Sequence, residues 1–315
     1  MDFSKSPLYK VQSKKKLSYL LKVPLKELKN TDQNFKAENF ESGERVFTKA
    51  LPKLKRVLKI VVVYLEKIGV PNFLYGGIKG KNTLNNVEQH IANGFVLKTD
   101  IRHFFPSTRY ADVYNFFYSK LDMSRDCATI MANITTFKIS KNSRSLPQGY
   151  STSPLLSFFS YVNLFLELDD YARHHNMIMT TYYDDITLSS SESISKAHLR
   201  MVEHIIRKYD FEPHPNKTKL LNVKSTNKRV KITGFLVHKQ EIKIPKSKFK
   251  KLYDTNKEVF ELLHDLDNAT TKEIKRVRNS LVGCISSVAE VNTGYDLSGY
   301  IQKVCELNII LGKRN

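Results

Sequence analysis

Apolar residues recur at helical spacing along much of this chain, which predicts helices that bury one face. Within about the first 35 residues four leucines keep this spacing, and Pro24 interrupts it, so a break or a second helix start is predicted there. Further on, the same pattern predicts helices over about 53–68, 82–92, 110–121, 195–209, 247–266, 272–288 and 297–311, and one that begins near 153.

Other segments are rich in β-branched and aromatic residues and predict strands. The run 94–101 is strand-like and carries an acid, Asp100, near its end. The run 181–188 is predicted to form two short strands around a tight turn that presents Asp184 and Asp185. Strands mixed with helices in this order indicate an α+β fold.

The charge balance is strongly basic. The chain has 315 residues, of which 51 are Lys or Arg and 31 are Asp or Glu, giving a formal net charge of +20. Basic residues cluster at 14–16, between 224 and 251, and between 272 and 278. This excess predicts a polyanionic partner, with a merely solubilising surface as the alternative.

Composition also restricts the environment of the protein. A hydrophobic content of 41% is enough for a substantial core. The three cysteines are widely spaced and predict neither a disulfide framework nor a metal site. The N-terminus lacks a signal-peptide core, and the clearest apolar run, 60–65, is too short to span a bilayer. A cytoplasmic protein without a membrane partner is therefore expected.

The adjacent carboxylates of Asp184 and Asp185 are the main candidate chemistry. An isolated Asp-Asp pair is more often a solvated turn. Two like charges this close repel each other, and burial strengthens the repulsion, so a divalent cation would make the arrangement favourable. Oxygen ligands suit Mg²⁺. If the strand that ends near Asp100 lies beside this hairpin, the three carboxylates would form a two-metal site for nucleotidyl transfer.

Three blocks around these acids resemble the motifs of reverse transcriptases. The segment 100–107 resembles motif A, and Tyr182-Tyr183-Asp184-Asp185 resembles motif C, Tyr-x-Asp-Asp. Between them, the segment 146–154 (Leu-Pro-Gln-Gly-Tyr-Ser-Thr-Ser-Pro) resembles motif B. The block 86–90 is similar to the Asn-Ala-x-x-His block of retron reverse transcriptases, and 231–235 to their Val-Thr-Gly block. Tyr183 departs from the usual alanine of motif C.

The resemblance implies a right-hand polymerase fold. Residues 1–35 are expected to form a basic helical N-terminal segment and 36–93 the fingers. The palm, an antiparallel sheet with helices, is expected over 94–235, with fingers residues intermingled at about 110–145. Residues 236–315 are expected to form a helical, basic thumb.

The resemblance also assigns roles in the active site. Asp100 and Asp184 would bind two Mg²⁺ ions, with Mn²⁺ as an alternative, and Asp185 would help to position a metal or the primer end. Lys217 matches the motif D lysine that assists pyrophosphate release, with Lys219 as a rival. The nucleotide pocket is expected to include Phe105, which would exclude a ribose 2′-hydroxyl, together with Ile101, Gln148 and Gly149.

Nucleic-acid contacts are expected from both the retron-like blocks and the basic C-terminal part. We predict such contacts from Asn86, His90, Tyr183, Thr233, Gly234, Lys246, Lys248 and Arg276.

The implied function is an RNA-directed DNA polymerase of a retron. Such an enzyme copies part of a structured non-coding RNA from dNTPs. Priming from an RNA 2′-hydroxyl would leave a branched RNA–DNA hybrid (msDNA). The resemblance further implies antiphage defence with a separate effector protein. The alternatives are another bacterial reverse transcriptase (group II intron-like, diversity-generating or abortive-infection type) and a non-catalytic RNA-binding scaffold.

Overall fold

The structure is a computed structural model that describes residues 1–43, 45–140, 143–223, 229–291 and 294–313. The described strands are β1 (Ala37–Ser42), β2 (Arg45–Ala50), β3 (Phe95–Asp100), β4 (Phe137–Ser140), β5 (Ser143–Ser145), β6 (Ile178–Tyr182), β7 (Asp185–Ser190), β8 (Lys219–Asn222), β9 (Val230–Ile232), β10 (Phe235–His238) and β11 (Glu241–Lys243).

Helices account for most of the remaining described chain. The α-helices are α1 (Lys14–Leu21), α2 (Leu25–Leu28), α3 (Thr31–Asn34), α4 (Pro52–Glu66), α5 (Thr83–Glu88), α6 (Phe104–Ser107), α7 (Tyr110–Asn115), α8 (Arg125–Thr135), α9 (Ser153–Ser160), α10 (Val162–His174), α11 (Lys196–Lys208), α12 (Lys246–His264), α13 (Thr271–Ala289) and α14 (Ser298–Lys313). A 3₁₀ turn spans Phe3–Lys5, and a π-helical stretch spans Phe116–Lys120.

The chain forms two compact units that are discontinuous in sequence. The first comprises Met1–Asn82 and Phe95–Leu221, and the second comprises Thr83–Gly94 and Asn222–Asn315. Residues 83–94, expected within the fingers, therefore belong to the same unit as the C-terminal part. The boundaries of fingers, palm and thumb remain predictions.

The first unit is organised around a four-stranded sheet with the order β6–β7–β3–β8. Strand β7 pairs antiparallel with both β6 and β3. Ile186 and Leu188 of β7 and Leu97 of β3 are fully buried, and the aliphatic side chains of helices α9 and α10 belong to the same core. The predicted hairpin around Asp184 and Asp185 is confirmed, because β6 and β7 are its two arms.

Pairs of adjacent phenylalanines fill the interior of the first unit. The rings of Phe116 and Phe159 are stacked, with centroids 5.5 Å apart, and Phe158 lies against Phe165 at 5.3 Å. All four side chains are at most 2% exposed. Each buried aromatic ring removes a large apolar area from water, so these rings hold the helices against one another.

A two-stranded hairpin, β1–β2, stands apart from the main sheet of the first unit. Its strands pair antiparallel, and the chain turns at Gly43, whose φ of +61° lies in the left-handed region that glycine adopts most easily. The ring of Phe40, which is exposed, stacks on the half-buried ring of Phe47 across the two strands, with centroids 5.6 Å apart. Sequence patterns did not predict this hairpin.

The second unit combines a small antiparallel sheet, in the order β11–β10–β9, with α5 and three long helices. Val230, Ile232, Phe235 and Val237 are buried in the sheet. Helix α13 packs against both α12 and α14. The N-terminus of α13 is capped by Thr270 and Glu273, which exchange hydrogen bonds in a capping box.

The predicted helices agree with the structure in type and, for the longer ones, within a few residues. The segment predicted as 110–121 instead divides into α7 and the π-helical stretch, and the helix predicted at 82–92 ends at Glu88. Helices α8 and α10 were not predicted. Among the residues that the structure describes, no helix combines the length and the apolar character needed to cross a bilayer.

Candidate active site

Three aspartates meet at one end of the main sheet of the first unit. Asp100 is the last residue of β3, and its Cα pairs with that of Asp185, the first residue of β7. Tyr183 and Asp184 form the turn between β6 and β7, and Tyr183 adopts the left-handed conformation with φ of +59°. The backbone N–H of Ile101 donates to the carbonyl oxygen of Asp184 at 3.0 Å. The structure therefore brings motifs A and C together through backbone pairing.

Burial makes this group of carboxylates electrostatically unfavourable without a cation. Desolvation raises the pKa of Asp184 to about 6, and the charges of Asp100 and Asp185 contribute in the same direction. Desolvation likewise raises the pKa of Asp185. Carboxylates with raised pKa values in a cleft are typical of a functional site.

Lys217 supplies a positive charge to this group. Its Nζ lies 2.6 Å from Oδ2 of Asp100, whose side chain is 4% exposed. Partial burial lowers the pKa of Lys217, but the hydrogen bond to Asp100 and the nearby carboxylates outweigh it, so the net shift is upward. Lys219 lies two residues further on, at the start of β8, with an exposed side chain. This placement favours Lys217 over Lys219 for the predicted role.

A backbone turn places Lys217 beside Asp100. The N–H of His214 donates to the carbonyl oxygen of Asp100 at 2.7 Å. The carbonyl oxygen of His214 in turn accepts from the N–H of Lys217 at 3.1 Å and from the N–H of Thr218 at 3.0 Å. The side chain of His214 lines the cavity next to the aspartates, and its Nδ1 is buried without a hydrogen-bond partner. His214 was not predicted as a site residue.

The carboxylates have the donor chemistry that a divalent cation needs. Within the described part of the chain, no group of three or more His, Cys, Asp or Glu side chains is arranged as a ready metal site. One oxygen of Asp100 is instead bonded to the ammonium of Lys217. Burial, together with the charge of Asp100, raises the pKa values of Asp184 and Asp185, so a divalent cation would favour their charged forms, and the three aspartates fit such a cation.

A cavity of about 1060 Å³ opens beside the aspartates and is large enough for a nucleotide. Phe105, Gln148, Gly149 and Tyr183 line it, and their assignment to the nucleotide pocket and the primer end stays a prediction. Ile101 does not fit that prediction, because its side chain is fully buried in the hydrophobic core and only its backbone bonds to Asp184.

The structure distinguishes the roles of two adjacent phenylalanines. Phe104 is 3% exposed and packs against Phe165 and Phe211, with ring centroids 5.8 and 5.4 Å away. Phe105 is half-buried and lines the cavity. Phe104 therefore belongs to the core, and Phe105 is the one of the pair that faces the cavity.

The motif B loop is joined to the hairpin β1–β2. The N–H of Thr48 donates to the carbonyl oxygen of Gln148 at 2.7 Å. Gly149 has a φ of +121°, and a Cβ at this position would lie 2.5 Å from the carbonyl oxygen of Thr48. Only glycine allows the two backbones to approach this closely. Val46 and Phe47, which the sequence did not mark, thereby reach the wall of the cavity.

The two retron-like blocks meet inside the second unit. Nδ2 of Asn86 donates to Oγ1 of Thr233 at 3.1 Å, and that hydroxyl donates to the carbonyl oxygen of Thr83 at 3.2 Å. Thr233 and Gly234, with φ of +38° and +90°, form the turn between β9 and β10. Asn86 and His90 are 1% and 0% exposed, which corrects their prediction as direct nucleic-acid contacts. The hydrogen bond of Asn86 to Thr233 indicates that Asn86 supports this turn, whose own contact with nucleic acid stays a prediction.

The basic residues of the second unit that were predicted to contact nucleic acid differ in how exposed their charged groups are. Lys246 is exposed at the start of α12. Nζ of Lys248 instead lies 3.7 Å from the ring centroid of Phe235 and 3.4 Å from the carbonyl oxygen of Ser287, and burial lowers its pKa. Arg276 is exposed and forms an ion pair with Glu258. Lys224 and Lys228 belong to the same predicted basic cluster as Lys246 and Lys248, and they lie outside the described residues.

An antiparallel sheet whose hairpin turn and neighbouring strand present three aspartates beside a nucleotide-sized cavity defines the palm of a nucleic-acid polymerase. The family model "Reverse transcriptase (RNA-dependent DNA polymerase)" matches residues 36–260. The chain therefore belongs to the reverse transcriptase family, and the predicted right-hand α+β class is confirmed at this level.

The proteins that are similar to this chain include retron reverse transcriptases. The Retron Ec86 reverse transcriptase of Escherichia coli is 29% identical over 224 residues, covering 69% of this chain. The Retron Se72 reverse transcriptase of Salmonella heidelberg (strain 579083-10) is 26% identical over 252 residues, covering 75% of this chain. In both comparisons the chain spans 63% of the relative's length. The solved structure of apo telomerase from Candida tropicalis aligns with a TM-score of 0.49 and 11% identity, covering 89% of this chain and 59% of its own.

Proposed function

We propose that this protein is a retron reverse transcriptase, an RNA-directed DNA polymerase that uses an RNA template and dNTPs. The observation that carries the proposal is the pairing of β3 with β7, which brings Asp185 beside Asp100, while Asp100 and Asp184 line a cavity of about 1060 Å³. The family match adds the class of template, because carboxylates on a palm do not by themselves distinguish RNA from DNA.

The three aspartates would hold two Mg²⁺ ions, with Mn²⁺ as an alternative. When bound, such cations stabilise the charge on the reacting phosphates and activate the primer hydroxyl. Asp100 and Asp184 are proposed as direct ligands, and Asp185 as a residue that positions a cation or the primer end. Phosphoryl transfer depends mainly on positioning and charge stabilisation, so no nucleophilic side chain is required.

The remaining residues of the cavity would bind and orient the nucleotide. Phe105 would lie beneath the sugar and exclude a 2′-hydroxyl, and Gln148 and Gly149 would contact the nucleotide or the template. Lys217 would exchange its contact with Asp100 for the leaving pyrophosphate and could donate a proton to it. The exposed basic residues of α12 and α13, such as Lys246 and Arg276, would contact phosphates of the template–primer duplex.

Lys217→Met is expected to reduce kcat about 100-fold or more with a smaller change in the KM for dNTP, because assistance by a positioned acid acts mainly in the transition state. Lys219→Met is the matched control, since it removes the same charge from an exposed position of the same segment. Steady-state extension of a primed RNA template measures kcat and the KM for dNTP in the two variants and in the wild type. Equal effects of the two substitutions would contradict a specific role for Lys217.

The retron type implies a more specific reaction. We propose that synthesis begins at an internal 2′-hydroxyl of a cognate structured RNA and leaves a branched RNA–DNA hybrid, or msDNA. We further propose that this product acts in antiphage defence together with a separate effector protein, and that the enzyme works in the bacterial cytoplasm. The similarity to retron reverse transcriptases supports these proposals.

The test is the nucleic acid that copurifies with the protein expressed together with its native flanking DNA. Separate digestion with RNase and DNase is expected to reveal a discrete DNA joined to RNA. Asp184→Asn, the control, should bind the RNA and lack the DNA. DNA without attached RNA would favour another class of reverse transcriptase, and RNA alone in both samples would favour the non-catalytic scaffold.

A further inference from the structure

The turn of motif C rests on a glycine pair from a distant part of the first unit. The segment that precedes this pair runs beside β6, where the N–H of Tyr75 donates to the carbonyl oxygen of Thr181 at 2.9 Å. The N–H of Thr181 in turn donates to the carbonyl oxygen of Phe73 at 2.8 Å. These two bonds bring Gly76 and Gly77 directly against Tyr183.

Because Gly76 and Gly77 have no side chains, Tyr183 can pack directly against their backbone. A Cβ on Gly76 would lie 2.3 Å from the backbone N of Tyr183 and 2.8 Å from its Cδ1. A Cβ on Gly77 would lie 2.8 Å from Cβ of Pro154 and 3.1 Å from Cε1 of Tyr183. Backbone therefore packs directly on one side of the tyrosine, and the absence of both side chains is a requirement of this contact.

On another side, Tyr183 contacts the ring that lies in the nucleotide cavity. The ring centroids of Tyr183 and Phe105 are 6.0 Å apart at an interplanar angle of 61°, which is an edge-to-face contact. Phe105 also lies 5.8 Å from the ring of Phe104, which is buried in the core. Phe105 is thus held between a core residue and Tyr183.

We propose that Tyr183, seated on Gly76 and Gly77, is a specificity-determining residue that holds Phe105 in the position that excludes ribonucleotides. The inference rests on the proposed DNA polymerase function. A bulky ring rejects an added hydroxyl only if it cannot turn aside, and Phe105 is only half-buried, so it needs support from a neighbour. Tyr183 provides that support, while its left-handed backbone and the hydrogen bond from Oγ1 of Thr181 to its carbonyl oxygen (2.9 Å) fix its own position.

The experiment compares incorporation of a dNTP and the matching rNTP on one primed RNA template. Tyr183→Ala is expected to lower the ratio of the two kcat/KM values about 2- to 10-fold, the range that one aromatic pair contributes. The loss should come mainly from faster use of the rNTP. Tyr183→Phe keeps the ring and should keep the wild-type ratio. Tyr19→Ala, a substitution at a side chain 83% exposed, is the control.

A double substitution separates support of Phe105 from an independent effect. Phe105→Val should relax sugar selection strongly, and adding Tyr183→Ala should change the ratio little further, because the supported ring is already gone. Multiplicative effects of the two substitutions would overturn the inference. An equal loss for dNTP and rNTP in Tyr183→Ala would overturn it too, because that result marks a role in primer positioning.

Two further outcomes complete the test. If Tyr183→Ala does not fold, Tyr183→Met decides, since it keeps much of the volume without the ring; a wild-type ratio in that variant would overturn the inference. If the wild-type protein incorporates neither nucleotide, the proposed function itself fails. That result is distinct from a working polymerase whose discrimination does not depend on Tyr183.

Discussion

Replacing Asp184 by asparagine is expected to reduce DNA synthesis about a thousandfold or more and, without divalent cations, to stabilise the folded protein. The loss of synthesis follows from the proposed role of Asp184, which lies close to Asp100 and Asp185, as a metal ligand, because an amide lacks the negative charge of that ligand. Charge stabilisation by a bound cation contributes several kcal/mol, and each 1.36 kcal/mol changes the rate about tenfold.

The gain in stability follows from the raised pKa of Asp184. Its carboxyl has an ordinary pKa of 3.8, and burial with two neighbouring carboxylates raises it to about 6 in the folded state. The carboxyl of Asp184 therefore binds its proton more tightly in the folded protein than in the unfolded chain. Its ionisation lowers the free energy of unfolding as the pH rises from about 4 to 6, and the full loss persists at any pH above 6. The shift corresponds to about 2–3 kcal/mol at pH 8.

Denaturation in EDTA measures this effect. At pH 8 the free energy of unfolding of Asp184→Asn should exceed that of the wild type by about 2 kcal/mol, and the difference should shrink as the pH falls towards 4. Asp126→Asn is the control, because Asp126 forms an exposed ion pair with Lys14, and such pairs contribute little. A variant that is both inactive and less stable than the wild type at pH 8 would contradict the described electrostatics.

Replacing Gly149 by alanine is expected to reduce kcat/KM for dNTP about 100-fold without removing any catalytic group. The added Cβ would lie 2.5 Å from the carbonyl oxygen of Thr48, so the motif B loop and strand β2 must separate. Their hydrogen bond from Thr48 N–H to the oxygen of Gln148 would be lost with that movement. A displacement of about 1 Å in a substrate-positioning group is enough to cost two orders of magnitude in rate.

Gly80→Ala separates this effect from the general strain of a left-handed backbone. Gly80 has a φ of +79°, and nothing lies within 4 Å of a Cβ built there. Alanine at Gly80 should therefore cost about 1–2 kcal/mol of stability through backbone strain and leave nucleotide incorporation near the wild-type level. Similar kinetic losses in the two variants would show that contact with Thr48 is not what matters at Gly149.

Much of the site could be predicted because it depends on local patterns and on resemblance. The β-branched and aromatic run around Asp184 and Asp185 predicted a hairpin, and β6 and β7 form it. The resemblance of 100–107 to motif A placed Asp100 beside them, and the pairing of Asp100 with Asp185 agrees with that expectation. The long amphipathic helices of the C-terminal part were predicted within a few residues.

The predictions that the structure corrected share a physical cause. Ile101 and Asn86 were assigned to ligands by resemblance to family motifs, but side-chain burial depends on what packs against each face, and both side chains are buried. Lys248 was assigned to nucleic acid by its charge, yet its ammonium lies over the ring of Phe235. The sequence patterns did not predict hairpin β1–β2, and they therefore did not predict the hydrogen bond between Thr48 and Gln148.

By itself, the sequence determined the class of the protein, the three aspartates proposed as catalytic and most of the long helices, because hydrophobic periodicity and short motifs are local properties. Only the tertiary structure distinguished Lys217 from Lys219, since the salt bridge of Lys217 to Asp100 depends on the turn at His214. It also revealed that Asn86 bonds to Thr233 and that Gly76 and Gly77 support Tyr183. These contacts join residues far apart in the chain, and packing geometry, which no single segment encodes, determines which of them form.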